Sequence, residues 1–141
     1  VFPRARVEGA PYDFSFSGLK SAVLNHINHA HMMGEEINVP DLMASFQYAV
    51  VDVLTSHAVE AAKNLGYDKV AIAGGVASNS ALRAEMKEAC EKAGLKFYYP
   101  SPIFCTDNAA MIGVAGYYEY INGTRSGLDL NAVPNLKLGE R

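Results

Sequence analysis

Cysteine is scarce in this 141-residue chain: there are two, Cys90 and Cys105. They lie in dissimilar segments without CxxC spacing, which excludes a disulfide framework and points to a reducing compartment, with both thiols packed as small hydrophobes. Zinc fingers and ribbons are excluded too, since they need four ligands at set spacings. No apolar run reaches the roughly 18 residues a transmembrane helix requires. Basic charge is also short, because 12 Lys and Arg face 15 Asp and Glu for a net charge of −3. With no cluster of Lys and Arg on any segment, the chain lacks the electrostatic footprint for holding RNA or DNA by its own charge. The eight tyrosines and six phenylalanines are scattered at core spacing and make no aromatic platform for bases. Internal repeats and low-complexity tracts are absent.

What is present belongs to a globular α/β protein. Half of the residues are hydrophobic and 19% are charged, which excludes disorder. A chain of this size can bury about 68–70% of its extended surface, enough for a genuine core in one domain or part of a larger one. Residues 1–13 read as an irregular lead-in. Phe14 to Ser17 alternates aromatic and serine, the pattern of a short half-buried strand broken by Gly18. From Leu19 to Met33 the apolar residues fall at helical spacing up to Gly34. Asp41 to Leu65 is the clearest helix, with Gly66 at its C′ position and a length of roughly 37 Å. Its polar side, Ser45, Asp52, Ser56 and Lys63, is expected to face water. The pattern then alternates: strand Lys69–Ala73, helix Asn79–Ala93, strand Lys96–Tyr99 and helix Thr106–Ile121, with a tail from Thr124. Strand and helix at this spacing imply a short, mostly parallel sheet with crossover helices.

Three places could carry chemistry. The first is the run Ala71-Ile72-Ala73-Gly74-Gly75-Val76-Ala77-Ser78-Asn79-Ser80. A strand that enters two glycines and then a helix start brings backbone N–H groups to a ligand, and the helix N-terminus favours an anion. Open α/β sheets place ligands at this end of a strand. It is neither a Walker loop nor GxGxxG, and the same residues also make an ordinary tight turn capped by Ser78 or Asn79. The second is Phe104 to Met111, where Thr106 can cap a helix and Asp107 complements its dipole. Those structural roles suffice locally; the functional alternative is a carboxylate at the mouth of a cleft. The small residues Ala109, Ala110, Gly113, Ala115 and Gly116 suit a crowded interior. The third is His26, His29 and His31. His26 and His29 lie one helical turn apart, but His31 points away and His26 sits on the apolar stripe, where a hydrogen-bonded core histidine is the commoner outcome. His57 reads the same way.

Four motifs together carry a family resemblance: FSFSGLKSAV (Phe14–Val23), ASFQYAVVDVL (Ala44–Leu54), GGVASNSALR (Gly74–Arg83) and CTDNAAMIG (Cys105–Gly113). In order and spacing they resemble the C-terminal portion of the TsaD family, formerly described as O-sialoglycoprotein endopeptidases. The resemblance implies one lobe of an actin/hexokinase-like ATPase fold. Residues 18–66 would be an inserted helical part, 67–123 the βαβα part with the nucleotide and metal sites, and 124–141 a tail. It also implies transfer of threonylcarbamoyl from its adenylate to the tRNA adenosine beside the anticodon, in the cytoplasm. By the same resemblance Gly74, Gly75 and Asn79 match a nucleotide- or substrate-binding loop that takes ATP or the threonylcarbamoyl-adenylate. Asp107 matches the family's aspartate ligand for iron or zinc, a metal placed to polarise the acyl oxygen. TsaB-like and TsaE-like subunits and tRNA are the implied partners.

The departures from the family pattern are specific. The HxxxH pair that supplies the other metal ligands is missing, since no two of the four histidines are four apart. The first phosphate-binding segments are missing as well. Ser56-His57 stands where many members have lysine, and Pro134 to Leu138 lacks the tryptophan some members carry. The expectation is therefore a truncated enzyme, inactive alone, that covers its exposed apolar surface by forming a homodimer. No residue is an evident general base. A metalloprotease of the older description would need HExxH or a comparable set with a catalytic Glu. A non-catalytic partner subunit of the same fold is expected to have lost the GGVxxN and DNAA motifs, and both are intact.

Overall fold

A computed structural model describes residues 2–4 and 6–137. Four helices and two strands follow in the order α1 (Ser17–Met33), α2 (Val39–Asn64), β1 (Lys69–Ala71), α3 (Ser80–Ala93), β2 (Lys96–Tyr98) and α4 (Ala109–Ile121). Single 3-10 turns at Gly75–Ser78 and Pro102–Phe104 follow β1 and β2 respectively. The class is α/β. The chain divides into two compact units, Val1–Thr106 and Asp107–Arg141.

Local chemistry explains most boundaries in the first unit. α2 starts two residues earlier than the Asp41 start expected, because Asn38 caps it by accepting the Asp41 amide at 3.2 Å and Pro40 occupies its first turn. α3 ends at Gly94, whose φ of 70° is the left-handed conformation that closes a helix at low cost to glycine alone. The Leu95 amide then reaches back to the Cys90 carbonyl at 2.8 Å. α1 and α2 end on the same arrangement of carbonyls, at Gly34 and Gly66.

The strands pair in parallel, with Lys69 opposite Lys96, Val70 opposite Phe97 and Ala71 opposite Tyr98. α3 is the crossover between them, as a parallel pair requires. The core sits between α2, α3 and this sheet, around Val51, Ala62, Val70, Leu82, Met86 and Cys90. Half-buried Leu54, Ala58, Ile72, Leu95 and Phe97 pack against it. Asp52, expected in water, is instead half-buried and ion-paired with Arg4.

The segment Phe14 to Ser17 departs from the strand its alternation implies. No strand forms there: residues 13–16 are irregular and Ser17 already starts α1. Phe14 and Phe16 stack on each other, with ring centroids 6.4 Å apart. In the second unit α4 begins at Ala109, because Asn108 rather than Thr106 supplies the cap. None of its residues is buried, and Cβ atoms added at Gly113 or Gly116 would meet nothing within 4 Å. The small residues are therefore not holding a crowded interior within this unit. The tail beyond residue 137 lies outside the described residues. Among the described residues no helix is long and apolar enough to cross a membrane.

Candidate functional site

The glycine loop is built as the end of β1. Gly74 adopts φ 85° and ψ 176°, a region open essentially to glycine only, so a Cβ here strains the backbone. The chain then makes the 3-10 turn Gly75–Ser78, fixed by Ala77 N–H donating to the Gly74 carbonyl at 3.0 Å. Ala77 is buried beneath it. Asn79 accepts the Leu82 amide at 2.9 Å and so caps α3. The structure thus brings Gly74, Gly75 and Asn79 together in one loop, at the carboxyl end of a parallel strand and the amino end of a helix.

Gly75 is not explained by the folding of this loop. Its φ is not positive, and an added Cβ would meet nothing within 4 Å. Neither backbone nor packing asks for glycine at this position. What glycine provides here is bare main chain facing open space, which suits close approach by a ligand.

Beside the loop lies an apolar cleft of about 470 Å³ lined by Met43, Phe46, Gln47, Val50, Val76 and Asn79, among others. Asn79 Nδ2 donates to Gln47 Oε1 at 3.0 Å, so one asparagine caps the helix with its oxygen and holds a polar pair at the cleft with its nitrogen. Such a site can take a flat apolar body next to an anionic group directed at the helix end. Gln47 had no signal beyond its place in ASFQYAVVDVL. Arg83 was likewise unmarked except as the last residue of its motif. Its guanidinium donates to the Ala77 carbonyl, to the Pro100 carbonyl at 2.9 Å and to Cys105 Sγ at 3.2 Å.

Asp107 lies in the second unit, exposed, just before the cap of α4. Among the described residues no group of three or more His, Cys, Asp and Glu could hold a metal ion. Asp107 is a single oxygen donor, whereas catalytic metal sites use three protein ligands. The donor set of the described residues does not fit a metal centre. His26, His29 and His31 are all exposed, with His26 edge-on to Phe2 rather than in the core. His57 is buried as expected, stacked on Phe14 at 5.5 Å, but its Nδ1 has no hydrogen-bond partner among the described residues. Burial pushes the Cys90 thiol above its ordinary pKa, so this cysteine is an inert core group rather than a nucleophile.

Comparison with known proteins adds a family match. The model of TsaD, described as tRNA N6-adenosine threonylcarbamoyltransferase, matches residues 1–114. A protein of that name from Clostridium botulinum (strain Hall) is 58% identical over 140 residues, covering 99% of this chain and 41% of its own length. One from Clostridium perfringens (strain ATCC 13124), of the same name, shows the same identity and coverage. The chain thus spans about two fifths of the length of the curated relatives it matches.

Proposed function

We propose a function from one premise: the chain belongs to the tRNA N6-adenosine threonylcarbamoyltransferase family. On this reading it is the C-terminal portion of such an enzyme, with an actin/hexokinase-like lobe. The full-length protein transfers threonylcarbamoyl from its adenylate to the tRNA adenosine beside the anticodon, in the cytoplasm. Residues 67–123 carry the functional loops. Gly74, Gly75 and Asn79 hold the nucleotide of ATP or of the threonylcarbamoyl-adenylate. The phosphate meets the main chain at Gly75 and the amino end of α3, and the base takes the apolar cleft beside Asn79 and Gln47. The supporting observation is Gly75, a glycine that neither the backbone nor the packing requires.

By the family resemblance Asp107 is the residue that would help hold iron or zinc in the full-length protein, where the metal would supply polarisation of the acyl oxygen. Because the described residues do not complete that donor set, the isolated chain is expected to lose added iron or zinc on dialysis. It is also expected to give no threonylcarbamoyl transfer, since catalysis needs its groups held in one cleft. Turnover above blank with tRNA and the donor adenylate overturns that expectation. TsaB-like and TsaE-like subunits and tRNA are the proposed partners of the full-length protein. For this chain alone a second copy is the proposed partner, by way of exposed apolar residues such as Ile112 and Val114. A single 15 kDa species in sedimentation equilibrium at micromolar concentration removes the homodimer.

The direct test of the nucleotide reading is titration with ADP. Gly75→Ala adds one methyl group into open space, so thermal unfolding should stay within about 0.5 kcal/mol of the parent. ADP affinity should nonetheless fall at least about tenfold. A Gly75→Ala chain that binds ADP as the parent does removes the reading.

A further inference from the structure

Arg83 is the fourth residue of α3. A cation in the first turn opposes the helix dipole, so local helix energetics do not account for it. Among the described residues no carboxylate is ion-paired with it. Its partners are neutral: the Ala77 carbonyl from Nε, and the Pro100 carbonyl and Cys105 Sγ from Nη2. The guanidinium also lies over the Tyr99 ring, 4.7 Å from its centroid. Cys105 Sγ passes the chain of contacts on to the Ser101 carbonyl at 3.6 Å.

These contacts join two loops that leave the carboxyl ends of neighbouring parallel strands. Ala77 belongs to the turn after β1, two residues before Asn79. Pro100, Ser101 and Cys105 belong to the segment after β2. Each loop has its own 3-10 turn, and among the described residues the guanidinium hydrogen-bonds to both loops. We infer that Arg83 is a positioning residue that fixes the Gly74–Asn79 loop in its ligand-accepting shape by clamping Ala77 to the segment after β2.

The inference deepens the nucleotide reading of this loop and rests on it for its functional half. The clamp depends on the planar fork, whose separate nitrogens reach separate acceptors while the plane stacks on an aromatic ring. A lysine keeps the charge but is a point donor that cannot reproduce that pattern. Charge attraction and positioning can therefore be told apart.

The experiment uses the whole chain as parent, Arg83→Lys and Arg83→Ala, with amide hydrogen exchange measured without ligand and ADP titrated separately. Exchange at residues 77–79 should rise at least about tenfold in both variants while α2 and the later turns of α3 keep their protection. ADP affinity should fall at least about tenfold in both, with no rescue by lysine. If Arg83→Ala does not fold, Arg83→Lys alone decides. Unchanged exchange at 77–79 overturns the clamp. A lysine variant that binds ADP like the parent overturns the positioning role and leaves charge as the cause. A parent that does not bind ADP removes the nucleotide reading and with it the functional half, while the exchange measurement still decides the clamp.

Discussion

At the head of α3 the Asn79 side chain accepts the Leu82 amide at 2.9 Å, and at the head of α4 Asn108 accepts the Met111 amide at 3.0 Å. Both helices follow a 3-10 turn, and their lengths are close, 14 and 13 residues. Their surroundings are opposite. α3 is studded with charge, yet buries Leu82, Met86 and Cys90 against α2 and the sheet. α4 has one charged residue, Glu119, yet buries nothing, with Ile112, Val114, Tyr117 and Ile121 all exposed. A cap is made by neighbours in sequence and forms wherever the residues are right. Burial needs a second apolar surface, which the first unit supplies to α3 through α2.

Core truncation should separate the two helices most widely. Met86 is 1% exposed, so Met86→Ala should cost about 2–5 kcal/mol through lost contacts and a residual cavity. Ile112 is 75% exposed, and Ile112→Ala should stay within about 0.5 kcal/mol in the same urea titration of the monomer. A large loss at Ile112 under dilute conditions means that α4 has a partner surface after all, and the contrast collapses.

The entries to the helices come next. α3 is reached through Gly74 at φ 85°, whereas the segment from Leu95 to Asn108 that leads to α4 has no residue of positive φ. Gly74→Ala should therefore cost about 1–3 kcal/mol from backbone strain, although an added Cβ would meet nothing within 4 Å. Asn79→Ala and Asn108→Ala should each cost about 1 kcal/mol as lost caps. Asn79→Ala should be the more damaging, because it also breaks the bond to Gln47. Equal losses would mean that the Gln47 pair adds nothing to stability.

This contrast also sorts what could be read from the residues alone. The glycine pair and the parallel strands are written in local chemistry and spacing and appear where expected, and of the two caps the residues allowed, Ser78 and Asn79, it is Asn79 that acts. Phe14 to Ser17 misled because four residues of alternation cannot distinguish a strand from an irregular segment that stacks two rings. His26 sits on the apolar stripe of α1 by spacing, but spacing does not say how far along a helix its partner surface extends. Thr106 and Asn108 are both good caps, and residue type alone does not say which one acts; the helix starts at Ala109, so Asn108 does. The Arg83 clamp was invisible for a different reason: two of its acceptors are backbone carbonyls, and any residue type carries one. The Asp107 reading came from the family motif rather than from its own surroundings.

The smallest expected effect lies on the solvent face of α3, and α4, with one charged residue, cannot form its like within itself. Glu88 and Lys92 are one turn apart, with Lys92 Nζ 2.6 Å from Glu88 Oε1. The glutamate is on the N-terminal side, the better orientation for such a pair. Lys92 donates a hydrogen bond to Glu88 and attracts it electrostatically, which holds the carboxyl below its ordinary value of 4.5. The same two interactions hold the ammonium above 10.5. A depressed acid stabilises the fold above its unfolded value and loses that contribution as the pH falls through the folded one. A raised base stabilises below its unfolded value and loses it as the pH rises through the folded one. The pair should therefore support α3 between about pH 4.5 and pH 10.5 and fade on either side. Both groups are exposed, so the contribution should be small and should shrink further in high salt. In urea titrations, Glu88→Gln should be slightly less stable than the parent at pH 7 in low salt, and the two should converge at pH 3. A gap that persists at pH 3 or survives 1 M salt would show that Glu88 acts through packing rather than charge.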